Sequence, residues 1–207
     1  MRVSSICGRA VVVVGGVMAL VMATAGSAGA WGLMPRRWEW RPDDWAHSWC
    51  MANVPASNQP RYSQAMASLD AWTNMSTSSQ PCSSSTDVVF IEQPIGGFTR
   101  GITACTAPVA VSPSLSRCQS HWSTIDVNQI LADTPPGQSL ANVDLNIHKT
   151  IRHELGHTVG FDHTGQSDWT THSTWGAMVS GWVPTSLNYL AWMQHQVDHL
   201  NAGETFQ

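Results

Sequence analysis

The stretch HELGHTVGFDH, residues 153–163, constrains this chain more than any other. Residues four apart on an α-helix advance about 400°, so His153 and His157 leave the same face, one above the other. Both imidazoles can then reach one metal ion. Glu154 is offset by about 100°, beside the ion rather than under it, where a carboxylate can take a proton from water without becoming a ligand. A third ligand has to come from chain that has left the helix. Gly160 tolerates the positive φ of a sharp exit, and His163 can return three residues later. Three imidazole donors leave a fourth position open, the ligand count of a catalytic rather than a structural zinc site. Ile147, Ile151, Leu155 and Val159, spaced by four, supply on the opposite side the apolar stripe that such a helix needs.

Residues 1–30 read as an address label rather than as fold. Arg2 and Arg9 precede an apolar run over residues 10–23, and small residues follow, ending in Ala28-Gly29-Ala30. This is the order of a secretory signal peptide with cleavage near Ala30, and the run falls short of the roughly 20 residues of a spanning helix. The expected product is a single secreted, extracellular domain over residues 31–207, with no membrane attachment after cleavage. Removing Arg2 and Arg9 from ten basic residues leaves eight against fourteen acidic ones, about −6, which argues against nucleic acid and anionic membranes as partners. Cys50, Cys82, Cys105 and Cys118 form an even set in an exported chain, so disulfides are expected. Three pairings are open. Cys50 with Cys82 and Cys105 with Cys118 are favoured because each would clip a polar loop region. No C-x-x-C pair exists to suggest a cysteine zinc site.

Along the chain, residues 38–49 read as a packed strand or turn. Asn58 and Pro60 start a first helix whose Tyr62, Ala65, Met66, Leu69 and Trp72 recur at helical spacing. Residues 73–86 are a loop by composition. Residues 87–91, 100–105 and 123–128 are short, β-branched and bounded by Gly, Pro or Ser, candidate strands of one sheet. The second helix is the one carrying the histidines, and Gly160 ends it. Residues 161–184 lack periodicity and are expected to be irregular. Thr185 or Ser186 can cap a third helix with Leu190, Met193, Val197 and Leu200 on its stripe and Gly203 beyond its end. Helix, strands, helix, long loop and helix make an α+β arrangement. His47, His121, His148, His172, His195 and His199 show no ligand spacing, and each is read as hydrogen-bonded or exposed.

In every specified position residues 153–163 match H-E-x-x-H-x-x-G-x-x-H, the long zinc signature of the metzincin metalloendopeptidases. Downstream, GAMVSG with Met178 resembles the methionine-bearing turn that lies beneath the metal in that clan. The chain is most similar to its small secreted bacterial and matrixin-like members. The resemblance implies a small twisted, mostly parallel sheet, an active-site helix, and an irregular C-terminal subdomain closed by a helix. It implies one catalytic Zn2+ held by His153, His157 and His163, Glu154 as proton acceptor, and Met178 as an apolar floor that does no chemistry. An extended substrate would pair along the edge strand, for which residues 100–105 are the candidate. There are departures. No tyrosine follows closely after Met178, so a tyrosine ligand is unsupported, and no cysteine-switch prosegment is seen. Structural Ca2+ would suit the resemblance, but no Asp-rich loop matches a calcium pattern.

The expected activity is therefore zinc-dependent hydrolysis of peptide bonds in protein or peptide substrates by a monomer. Two rivals use the same residues: a non-catalytic zinc-containing secreted binding protein on a protease scaffold, and a zinc hydrolase of a non-peptide amide. Retention of Glu154 speaks against the first, because a purely structural zinc has no use for a proton acceptor beside it.

Overall fold

The computed structural model describes residues 40–112, 115–161, 163 and 176–203. The leader-like residues 1–30, Asp162 and His172 lie outside the described residues. The elements in chain order are β1 (Trp40–Pro42), β2 (Ala46–Asn53), α1 (Gln59–Trp72), β3 (Ser76–Ser79), β4 (Val88–Glu92), β5 (Gly101–Cys105), β6 (Pro108–Ser112), β7 (Leu115–Cys118), β8 (His121–Ile125), α2 (Val127–Ala132), α3 (Leu140–Thr158), a 3₁₀ turn at Leu187–Leu190, and α4 (Gln194–Asn201).

Five strands make one sheet in the order β3-β2-β4-β8-β5. The first four run parallel, and β5 pairs antiparallel with β8, from Gly101 opposite Ile125 to Cys105 opposite His121. The expected mostly parallel sheet is thus present, with residues 101–105 at its edge. Central β4 reads VVFIE, and its Val88 and Phe90 are fully buried, as a strand flanked by parallel neighbours and covered by helices requires. A second sheet, β1-β7-β6, was not apparent from the sequence.

Both helices that cover the five-stranded sheet follow their stripes. α1 begins with Pro in its first turn and buries Tyr62, Ala65, Met66 and Leu69. Trp72, expected on that stripe, is 42% exposed. α3 starts at Ser139, whose hydroxyl accepts from the Asn142 N–H at 3.2 Å, and buries Ile147, Ile151 and Leu155, with Val159 at its C-cap. These side chains meet Val88, Phe90, Ile125, Met178 and Trp192 in one apolar core. Gly160 follows with φ +86°, the left-handed exit expected of it. Among the described residues no helix is long and apolar enough to cross a membrane. The disulfides are Cys50–Cys82 and Cys105–Cys118, the favoured pairing.

Three sequence expectations need correction. Residues 76–79, read as loop, form edge strand β3, because parallel pairing with β2 supplies what the composition STSS does not advertise. The strand expected over residues 123–128 ends at Ile125. Asp126 caps α2 instead, its Oδ1 accepting from the Gln129 N–H at 2.9 Å and its Oδ2 from the Ile95 N–H at 2.9 Å. The third helix is broken at residues 191–193. Its carbonyls are diverted there: Leu190 O accepts from the Arg152 guanidinium and Ala191 O from the Ala177 N–H at 2.6 Å. Ser186 caps only the 3₁₀ turn, and Val197 and Leu200 of α4 reach the core.

Candidate metal centre

His153 and His157 stand one turn apart on α3, both buried, and His163 reaches them from beyond the Gly160 turn with an exposed ring. The ring centroids of His153–His157, His153–His163 and His157–His163 are each 4.8 Å apart. One nitrogen from each lies within 4.8 Å of the others, and the Nε2 atoms of His157 and His163 approach to 3.1 Å.

The tautomers of the helical pair follow from their partners. His153 Nδ1 meets Ala177 O at 2.9 Å and His157 Nδ1 meets Phe161 O at 2.8 Å. A carbonyl can only accept, so each Nδ1 carries the proton and each Nε2 keeps its lone pair in the neutral ring. Burial, reinforced by neighbouring positive groups, holds the pKa of His153 well below its ordinary value and that of His157 at about 3. Neutral imidazoles with backbone-anchored Nδ1–H groups are the form in which histidine ligates metals, and this donor set is compatible with Zn2+.

The Met178 turn does two things here. Ala177 supplies the carbonyl that orients His153, and Met178, fully buried, presses its thioether against α3 at Gly156. A Cβ on Gly156 would stand 2.3 Å from Met178 Sδ, so at this approach only glycine fits at position 156, between His153 and His157. The position of Met178 under the histidine helix agrees with the expected apolar floor.

Glu154 points from α3 toward β5. Thr103 Oγ1 lies 2.9 Å from Glu154 Oε2 and 2.9 Å from its backbone carbonyl, and donates its single proton to one at a time. Desolvation raises the Glu154 carboxyl to about 7, against the opposing pull of Thr103 and of Lys149. A Cβ on Gly101 would sit 2.5 Å from Glu154 Oε1, so the edge strand leaves room for the carboxylate only because residue 101 has no side chain.

These groups line one cleft of about 570 Å3, with Arg100, Ile102, Lys149, Thr150, Ser180 and Gly181 among its other walls. No motif marks Thr103 or the Ala177 and Phe161 carbonyls, which reach the site only through folding. Lys149 was open to discovery, standing four residues before His153 on the same stripe. Of the remaining histidines, His47 Nε2 contacts Thr158 Oγ1 at 3.2 Å, as read, whereas half-buried His148 places its Nε2 3.6 Å from Asp144 Oδ2, an ion-pair rather than a hydrogen-bond distance. His121 departs from its reading: it is fully buried, and neither ring nitrogen has a hydrogen-bond partner among the described residues.

No family model and no curated protein matches the sequence. Among solved structures, the chain is similar to high choriolytic enzyme 1, a hatching enzyme zinc-protease from Oryzias latipes (medaka fish). The likeness covers 65% of this chain and 54% of that one at 11% identity, with a TM-score of 0.32, too distant to carry an argument.

Proposed function

We propose that this chain is a secreted zinc endopeptidase of the metzincin kind, acting on protein or peptide substrates. One observation carries the reading: three imidazoles, the two helical ones neutral, converge at the wall of an open cleft, and the residue after the first of them presents a buried carboxylate beside them. His153, His157 and His163 would hold the ion, the helical pair through Nε2. When bound there, zinc supplies Lewis acidity that polarises a scissile carbonyl and makes water a better nucleophile. Glu154 accepts a proton from the attacking water and delivers it to the leaving amine. Thr103 holds that carboxylate in place, and its hydroxyl can donate to the ionised form. Met178 packs and does not react. An extended substrate adds to the exposed edge of β5 by backbone pairing, which lays its peptide groups across the histidines. Two disulfides and a leader-like N-terminus support export.

The test is Glu154→Gln. The variant is expected to retain one equivalent of zinc by metal analysis while peptide cleavage falls by about 10³-fold or more, the scale of a lost general base. A wild-type protein that binds zinc and cleaves neither casein nor a peptide pool would overturn the reading in favour of a zinc-containing binding protein.

A further inference from the structure

Lys149, the sole lysine of the chain, lies one helical turn before His153 and lines the same cleft. It is 3% exposed, and its ammonium donates to Gly181 O at 3.2 Å. An ammonium carries three protons, so two are left without a hydrogen-bond acceptor among the described residues. No carboxylate among those residues comes within ion-pair distance of it. The other cation of the cleft is committed: Arg100 Nε pairs with Asp133 Oδ2 at 2.7 Å, and its guanidinium lies 5.9 Å over the Trp182 ring. That stack links the chain entering β5 to the chain leaving the Met178 turn, and Arg100 itself lines the cleft.

An ammonium this deeply buried, with two protons unmatched and the Glu154 carboxylate acting on it only from beyond ion-pair distance, is poorly compensated, and such a group in a cleft is a candidate for binding an anion. One helical turn, about 6 Å of rise, separates Lys149 from His153, a span that an acidic side chain can bridge from a peptide lying over the histidines. Side chains of an extended peptide alternate in direction, so of the residues flanking the scissile bond one can face the Lys149 side of the cleft while its neighbour faces away.

We propose that the recess floored by Lys149, with Thr150 and Ser180 as walls, is a subsite for a carboxylate side chain, that of an Asp or Glu adjoining the scissile bond. The inference rests on the peptidase reading and names its substrate class.

Two measurements test it. Cleavage of a peptide pool by the zinc-loaded chain should enrich Asp or Glu over Asn or Gln at one position flanking the cut. On a matched pair of peptides, Lys149→Met should lower kcat/KM for the Glu peptide by about 10- to 100-fold, mainly through KM, the scale of a lost hydrogen bond to a charged group. Any slowing that follows from losing the pull of Lys149 on Glu154 is shared by the Gln peptide, so the Glu-to-Gln ratio of kcat/KM should fall by about 10-fold or more. Equal rates for Glu and Gln peptides with the wild-type chain, or equal slowing of both by Lys149→Met, would overturn the proposal. The second measurement is calorimetric binding of the two peptides to zinc-loaded Glu154→Gln, which needs no turnover. If the wild-type chain cleaves nothing, the peptidase reading falls. Tighter binding of the Glu peptide would then keep the recess as a carboxylate site, and equal binding would remove both.

Discussion

Replacing His121 with leucine should make the fold less sensitive to acid. His121 opens β8, opposite Val88, fully buried and, among the described residues, with no hydrogen-bond partner for either ring nitrogen. Its ring lies 6.4 Å from that of buried His47. Desolvation, and then the neighbouring His47, depress its pKa to about 3 in the folded chain, against about 6.5 when unfolded. Between those values the unfolded chain binds more protons, so stability is intact above about pH 6.5 and falls as pH drops toward 3. At pH 5 the loss from this one group is RT ln(1 + 10^1.5), about 2 kcal/mol. Leucine has a similar volume and removes two buried polar atoms without partners, so at pH 7.5 the variant should lie within about 1.5 kcal/mol of wild type. Urea unfolding at pH 7.5 and 5.0, with chelator in every sample, measures both. His153, His157 and His163 titrate in both proteins and cancel, so the difference reports His121 together with its coupling to His47. The wild-type chain should lose about 2 kcal/mol more than the variant between the two pH values. Equal losses would refute the reasoning, and would mean that the imidazole is not held neutral by burial.

Two further predictions concern glycines against the site. Gly101→Ala puts a Cβ 2.5 Å from Glu154 Oε1, so the carboxylate must move by some fraction of an ångström; peptide cleavage should fall by about 10²-fold with zinc content unchanged, and an unaltered rate would deny that β5 positions Glu154. Gly156→Ala drives a methyl to 2.3 Å from Met178 Sδ and 3.0 Å from Trp192 Nε1. Overpacking of about 1–3 kcal/mol should exceed the gain in helix propensity of just under 1 kcal/mol. Adding Met178→Ala should then cost less than the same change made alone, and strict additivity in thermal unfolding would show that the two do not press on each other.

The residues of the site were legible because their relation is local. His153, Glu154 and His157 are fixed to one another by helical geometry, and the positive φ of Gly160 at +86° is a property of a single residue. The stripe of Ile147, Ile151 and Leu155 announced which side of α3 meets the sheet, and VVFI announced a buried strand. What surrounds the site was not legible, because it comes from chain far away. Thr103 reaches Glu154 across 51 positions, Ala177 O reaches His153 across 24, and Trp192 Nε1 reaches Arg152 O across 40. Similar long-range bonds break the third helix at Ala191 and turn STSS into a strand, overriding what composition suggests for those residues.

The sequence by itself determined the candidate set of imidazoles, the register of His153 and His157 along α3 and the point where the chain leaves that helix, since each depends on backbone periodicity or on one residue's conformational freedom. Only the tertiary structure decided which tautomer each helical histidine holds, where the Glu154 carboxylate is aimed, and that Lys149 is buried in the same cleft. Those depend on carbonyls, hydroxyls and walls supplied by other elements, and burial sets the charge state of a group only once its neighbours have excluded water.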